Sequence, residues 1–401
     1  MKLSNQIIVK LDEFVQAIAE GQHLPQQKFI WEMIYGMIAS GSVLLADVAR
    51  KLEADLRLIH IEKRLSRNLQ SLRLEEDELV EEYLQLIAAR INRQTTLAID
   101  IGDITKKYAA KMENLCEVWD GSEGEKATGY WLREIEAHHV DGTRTGIYWD
   151  CWSQETEDFT SRNRVILEAV RRVSTIVNGA GVWVGDRGLD AEAIITGLVA
   201  LSVRYVIRQT GDRHVRGSAD EPPQSLRAVA DSVKLKGRLN IWHRRRDGHW
   251  EQKHLRYGWQ EVIWPKNNQA DTLVVVVGWG EEPLMLWTNI EVKKRKGALF
   301  VIKGFLRRWA VEDGGRVLKQ EFELERVRVE GWLSIRRTVL LAGLAYGFIC
   351  LVQTMGQKVV EFISSKVRAF REPKKVWAYR LRQGMAELWS GGLLFRPSNF
   401  G

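Results

Sequence analysis

Cysteine is scarce in this chain: three occur in 401 residues, Cys116, Cys151 and Cys350, with no C-x-x-C pair and no histidine at zinc-ligand spacing. A disulfide scaffold and a zinc finger are thereby excluded as organising principles. Missing too are the basic n-region and apolar h-region of a secretory signal, since Met1 leads into an amphipathic stretch with Lys2, Asp12 and Glu13. The expectation is a cytoplasmic protein. No apolar run reaches the roughly 20 residues of a membrane span. The longest, Thr338 to Val352, has 15 positions and predicts a buried core helix. Neither an internal repeat nor a long low-complexity linker is present.

Charge of one sign is not in large excess either. Lysine plus arginine number 59 against 52 acids, a net +7 that is modest for this length. With 45% hydrophobic and 28% charged residues the chain can bury a substantial core and is not disordered. The distribution says more than the total. Residues 213–296 hold 16 basic and 10 acidic side chains, residues 331–401 hold 11 and 3, and the remainder is net negative. Two basic regions around an acidic centre fit a polyanionic partner.

Helical spacing dominates residues 1–94, with Leu11, Phe14, Val15 and Ile18 early and Leu79, Tyr83, Leu84, Ile87 and Ile91 later. Ser42, ahead of Leu44, Leu45, Val48 and Leu52, is the expected N-cap of a short helix. A second helix with Arg64 and Arg67 follows, so this domain is either a DNA-binding helix-turn-helix or an ordinary packed pair. The pattern then changes. An apolar strand, Thr96 to Ile99, runs into Asp100, and strands are expected over 129–140 and 146–152. A helix with Ile166, Leu167, Val170 and Val173 precedes a strand Val182 to Val184, and a helix over 191–201 precedes a strand over 204–208. Strands alternating with helices predict an α/β core over 95–212 whose chemistry sits at the carboxyl edge of the sheet. Residues 213–296, with six tryptophans and the cluster Arg244, Arg245, Arg246, read as a β-rich insertion. Helical periodicity returns over 297–345, and 346–401 is a basic helical region.

Three acids stand out by position: Asp100 and Asp186 at strand ends, and Glu312 in the helical stretch after the insertion. Carboxylates so placed can share two Mg²⁺ ions that act on a phosphodiester. Around Glu312, the residues Phe305, Arg308, Glu312 and Lys319 follow the spacing Y-x2-R-x3-E-x6-K, with phenylalanine in place of tyrosine. Arg308-Trp309-Ala310-Val311-Glu312 is similar to an R-W-x-I-E run, and Leu318-Lys319-Gln320 follows. Gly185-Asp186-Arg187 with Tyr205-Val206-Ile207-Arg208, and then Leu286-Trp287-Thr288-Asn289, complete a series of blocks in constant order. In all of these the chain resembles the DDE-type bacterial insertion-sequence transposases.

The resemblance implies an RNase H-like core interrupted by a β-rich insertion, in a nucleoid-associated bacterial enzyme. It implies Asp100, Asp186 and Glu312 as the metal-binding catalytic triad for two Mg²⁺, with Mn²⁺ as a substitute. Asp103 is the alternative first acid; Asp100 is preferred because it directly follows the apolar strand. Arg208, Arg244, Arg245, Arg246, Phe305, Arg308 and Lys319 are the expected DNA-binding residues, with Leu284, Trp279 or Trp287 near a base-stacking position. Offsets of four and seven residues predict that Arg308, Glu312 and Lys319 share one helix face. Phenylalanine at 305 can pack or stack, yet it donates no hydroxyl hydrogen bond. The adjacent His138 and His139 point to opposite faces of a strand and should share no metal. Gly314-Gly315 should weaken the helix, and the expected purpose is a close backbone approach. The expected activity is cut-and-paste DNA transposition by a homodimer assembled on DNA, with the helices of residues 359–389 either joining the protomers or folding back as a basic tail on their own core. A nuclease without strand transfer, or a non-catalytic DNA-binding relic, are the alternatives.

Overall fold

Leucine, isoleucine and phenylalanine at helical spacing do build helices at the start of the chain: α1 (Lys2–Ala19), α2 (Leu24–Ser40), α3 (Leu45–Ala49), α4 (Leu58–Leu69) and α5 (Glu76–Ala88). The computed structural model describes residues 2–52, 56–218, 220–244, 249–266, 268–308, 311–367 and 378–390. Strands β1 (Thr96–Thr105), β2 (Cys116–Asp120), β3 (Glu125–His138) and β4 (Arg144–Trp152) follow. Next come α6 (Arg162–Ile176), β5 (Val182–Gly185), α7 (Glu192–Ala200) and β6 (Tyr205–Arg208). The insertion comprises β7 (His214–Val215), β8 (Gln224–Ser225), α8 (Leu226–Ser232), β9 (Leu235–Arg244), β10 (Trp250–Trp264), β11 (Gln269–Val277) and β12 (Leu284–Thr288). Helices α9 (Arg295–Arg307), α10 (Val311–Arg316), α11 (Trp332–Val352), α12 (Gln357–Ser365) and α13 (Ala378–Ser390) close the described chain.

The protein is α/β with a mixed sheet of ten strands, ordered β2-β3-β1-β5-β6-β12-β11-β10-β9, with β4 paired to β3. Strands β1, β5 and β6 run parallel, with Ala98 opposite Val184 and Gly185 opposite Ile207. From β6 outward through β12, β11, β10 and β9 every pairing is antiparallel. Parallel neighbours need crossover helices, which α6 and α7 supply between β4, β5 and β6. Antiparallel neighbours need only turns, and that is how the insertion extends the sheet.

The chain divides into two compact units, the first built from Met1–Ile91, Asp100–Arg162 and Ala310–Gly401, the second from Asn92–Ile99 and Asn163–Trp309. In the first, α11 is apolar on nearly every side and therefore central, packing against β4, α2, α4 and α13. Gly343 admits Trp149 so closely that a Cβ there would lie 2.4 Å from the indole. Arg337, buried on α11, is fully used: its Nε donates to Glu76 Oε1 at 3.0 Å and its Nη atoms to the carbonyls of Leu69, Ser71 and Leu74 at 2.8 to 2.9 Å. Among the described residues one helix, Trp332–Met355, is long and apolar enough to cross a membrane, and 78% of its apolar window is buried in the protein.

Helix α13 folds back on α2. Leu381, Met385 and Trp389 are buried, Trp389 stacks on Tyr35 with ring centroids 4.9 Å apart, and Arg382 binds Glu321 at 2.8 Å. Its apolar face is thus consumed inside the protomer, which corrects the reading in which this helix joins two protomers. Ser42 is corrected too: its Oγ accepts from the Leu44 N–H at 3.2 Å, closing a turn, while Leu44 itself takes the N-cap position of α3. Arg64, expected on a recognition helix, is paired with Glu32 on α2 at 2.6 Å.

The second unit packs α9 on β5, β6, β11 and β12 around Val184, Val206, Val274, Leu286, Ile302 and Phe305. Buried Asp271 is satisfied there by Tyr205 Oη at 2.8 Å, Trp287 Nε1 at 2.5 Å and Gln269 Nε2 at 2.9 Å.

Candidate functional site

Asp100 lies within β1, two residues beyond Ala98, and the strand runs on to Thr105, which corrects the expectation of a strand end at Asp100; Asp186 follows β5, two residues beyond Val184. Asp186 is the N-cap of a short 3₁₀ turn, its Oδ1 accepting from Gly188 N–H at 2.8 Å. Such a cap leaves its second oxygen for another partner. Asp103, the alternative first acid, is buried and held by Lys319 Nζ at 3.0 Å and Thr105 Oγ1 at 2.8 Å. An acid neutralised in this way is a poor ion ligand, which favours Asp100.

Within the first unit, β3 brings further carboxylates to Asp100. The period of two sets Glu134, Glu136 and His138 on one face of the strand, and all three are buried. Tyr346 Oη donates to Glu136 Oε1 at 2.9 Å, and His138 Nε2 lies 3.7 Å from Glu136 Oε2. Glu134 Oε1 is buried without a hydrogen-bond partner among the described residues. Burial above all, then the charges of Asp100 and Glu136, hold the Glu134 carboxyl well above the usual range, opposed only by Lys319. The sequence analysis missed Glu134 and Glu136. In the sequence the two acids stand at i and i+2 of a strand that also carries Arg133 and His138, a pattern that reads equally as a solvated face. The two adjacent histidines do have separate partners, His139 lying 2.9 Å from Thr145 Oγ1.

The segment expected as one α-helix changes to a π turn after Arg316. Helix α9 ends at Arg307, Trp309 and Ala310 lie outside the described residues, α10 covers Val311–Arg316, and a π-helical turn spans Val317–Glu321. A π turn takes more residues per turn than an α-helix. Lys319, in this turn, is directed to Asp103 at 3.0 Å and to Glu325 at 3.2 Å. Glu312 lies on α10, but its side chain, with those of Val311 and Asp313, is outside the described residues. The reason for Gly314 and Gly315 is legible. A Cβ on them would meet Glu136 Oε2 at 2.9 Å and Glu134 Oε2 at 2.4 Å, so the glycines bring the α10 backbone against the carboxylates of β3.

In the second unit the charges are of the other sign. Arg208, at the end of β6, has its charge disfavoured by burial and then by Arg187, with Arg308 adding to this and Asp186 opposing. Its Nε is buried without a partner among the described residues. Arg187 and Arg227 share Glu282 at 3.2 and 3.3 Å. Arg308 is only 5% exposed, with its guanidinium 5.8 Å from the Phe305 ring. Phe305 is fully buried, so it packs the core beneath Arg308 and cannot reach a DNA base, a correction to its place among the DNA-contacting residues. Trp287 and Leu284 are likewise buried, and Trp279 stands edge-on to His243 at 4.8 Å. Arg245, Arg246 and the side chain of Arg244 lie outside the described residues.

Carboxylate oxygens, one of them buried and unpartnered, are the hard donors that Mg²⁺ takes, so the donor chemistry fits that ion. Among the described residues no three acidic, histidine or cysteine side chains by themselves enclose an ion, and Glu312 is not among those side chains. No protein-family model matches the chain, and comparison with curated proteins yields no match.

Proposed function

We propose that this protein is a DNA transposase that cuts at transposon ends in a Mg²⁺-dependent reaction and joins the freed strand to target DNA by cut and paste. The observation that carries this reading is the parallel register that pairs Ala98 with Val184, in strands leading to Asp100 and Asp186. The order β4-β3-β1-β5-β6 with its parallel trio is compatible with an RNase H-like core, and the antiparallel insertion falls before the glutamate segment, as the resemblance implies.

Asp100, Asp186 and Glu312 would hold the ions, with Mn²⁺ as a substitute. When bound, they supply Lewis-acid polarisation of the phosphodiester. Arg208 and Arg187 bind phosphate oxygens as fixed donor forks. Arg308, stacked on Phe305, holds a charge at their side. Lys319 keeps Asp103 neutralised, so that Asp100 is the acid left to the reaction. Glu134 is favoured in its protonated form and so limits the negative charge beside Asp100. A homodimer on DNA remains part of the reading, because excision needs two ends held together.

The test incubates the purified protein with the short inverted repeats flanking its coding region, a target plasmid and Mg²⁺. Nicked ends and a joined product are expected, and Asp186→Ala and Glu312→Ala should give neither. Cutting without joining makes the protein a nuclease on the same core. Wild-type protein that cuts in neither Mg²⁺ nor Mn²⁺ ends the reading.

A further inference from the structure

The β9–β10 hairpin has two unlike faces. Leu239 opposite Leu255 and Gly237 opposite Tyr257 turn inward, and Ile241 joins them against the core of the second unit. Alternate positions turn outward. There Arg238 stands directly opposite Arg256, both exposed, and neither has an acidic partner among the described residues. Like charges directly opposite in an antiparallel pair destabilise it. Four residues further along the strand, Trp242 is paired with Gln252 and is 64% exposed; Trp250, opposite Arg244, is 56% exposed. Asn240 and His254 fill the row between, His254 Nδ1 lying 3.0 Å from Asn240 Oδ1. Glu251, the nearest described acid of β10, is on the inward set and pairs with Lys253 at 3.1 Å.

Two indoles held out in water, beside two guanidiniums whose repulsion no described acid relieves, make an incomplete surface. An anion relieves the repulsion, and flat rings cover the indoles. A membrane is the poorer fit, because the outward row of residues 238–242 and 250–256 contains no aliphatic side chain and does contain hydrogen-bonding Asn240, Gln252 and His254. Duplex DNA supplies phosphates but keeps its bases stacked on each other. We propose that this face binds an unpaired stretch of DNA, with Arg238 and Arg256 on phosphates and Trp242 and Trp250 stacked on bases. Of the six insertion tryptophans these two are the exposed ones, whereas Trp264 and Trp287 are buried and Trp259 and Trp279 partly so.

The inference rests on the DNA-handling reading, but not on its metal chemistry, so the test is run with the full chain in EDTA. Anisotropy is measured with a fluorescent oligothymidylate, with a duplex of equal length, and with vesicles of phosphatidylserine as the membrane probe. Wild type should prefer the single strand. Trp242→Ala with Trp250→Ala should lower that affinity roughly tenfold or more while the duplex affinity stays nearly unchanged. Trp242→Phe with Trp250→Phe should restore most of it, which separates stacking from folding. Arg238→Gln with Arg256→Gln should flatten the slope of log affinity against log salt by about 1.4 for a single strand. Unchanged single-strand binding by the alanine pair overturns the proposal. So does an equal loss on duplex, failure of phenylalanine to rescue, or vesicle binding with the same tryptophan dependence. Absence of single-strand binding by wild type overturns it as well, and the cleavage assay above would still stand on its own result.

Discussion

The two units of this protein collect opposite charges, acids around Glu134 and arginines around Arg208. In the first, the buried Glu134 carboxyl lies near the charges of Asp100 and Glu136, with Lys319, itself paired to Asp103, opposing them. In the second, Arg208 lies near Arg187 and Arg308, with Asp186 and Glu282 opposing them. Burying like charges together costs stability unless something of the opposite sign completes the set. The difference between the units is the one the proposed function draws on, acids for a cation in the first and arginines for phosphate in the second.

The largest test of that contrast is loss of the acids themselves. Asp100→Ala and Asp186→Ala should each reduce Mg²⁺-dependent nicking roughly a thousandfold or more, the equivalent of several kcal/mol of charge stabilisation. Asp103→Ala should retain most activity, because Lys319 has already neutralised that carboxylate. Nicking by Asp100→Ala at the wild-type rate, with Asp103→Ala inactive, would reverse the assignment.

Arg337 sharpens the comparison from the other side, as a buried charge whose needs are met within the fold. Arg337→Ala should destabilise the protein by about 3–5 kcal/mol, leaving three carbonyls unpaired and Glu76 with Arg336 alone at 3.6 Å. Urea unfolding measures this. A loss below about 1 kcal/mol would mean the surrounding loop relaxes to water and the arginine is no clamp.

Paired substitutions then ask whether the two clusters answer to different ligands. Glu136→Gln, which removes a charge beside Asp100, should raise the Mg²⁺ concentration for half-maximal nicking roughly tenfold, with the salt dependence of DNA binding unmoved. Arg208→Gln should do the opposite, flattening the salt slope by about 0.9 on duplex while leaving the Mg²⁺ requirement alone. Crossed outcomes would break the comparison outright.

The smallest effect concerns Lys106, a buried cation of the first unit whose Nζ donates to the carbonyls of Glu325 and Val327 at 2.5 and 2.6 Å. Burial pulls its pKa down to about 8 from 10.5. Between those values the unfolded chain binds a proton that the folded chain does not, so folding stability gains as pH rises through this window and loses that gain as pH falls through about 8. Lys106→Met should flatten the dependence of the urea midpoint on pH over the same window. An identical pH profile for variant and wild type would show that Lys106 keeps its ordinary pKa.

Much of the fold was legible because it is written in short-range periodicity. The apolar run into Asp100, the strand before Asp186 and the helices between them are local patterns, and they are the ones the structure keeps. The burial of Thr338–Val352 followed from length and composition alone. The π turn in the glutamate segment was not legible, since a spacing of seven residues fits an α-helix as readily as an α-helix followed by a π turn. Nor were Glu134 and Glu136. Two acids at alternate positions read as a solvated strand face until the glycines of α10 are seen against them.

Tryptophan shows where the division falls. Composition fixed six of them in a basic, β-rich insertion, and that was enough to point to a polyanion. Which pack and which stand in water depends on the cross-strand register, because a shift of one residue exchanges the two faces. The register that pairs Trp242 with Gln252 and Arg238 with Arg256 decided it. Charge sign and element type are properties of nearby residues, so sequence alone determined them here. Which charges are left uncompensated is a property of neighbours far apart in the chain, and only the tertiary structure brought Glu134 beside Asp100 and Arg208 beside Arg308.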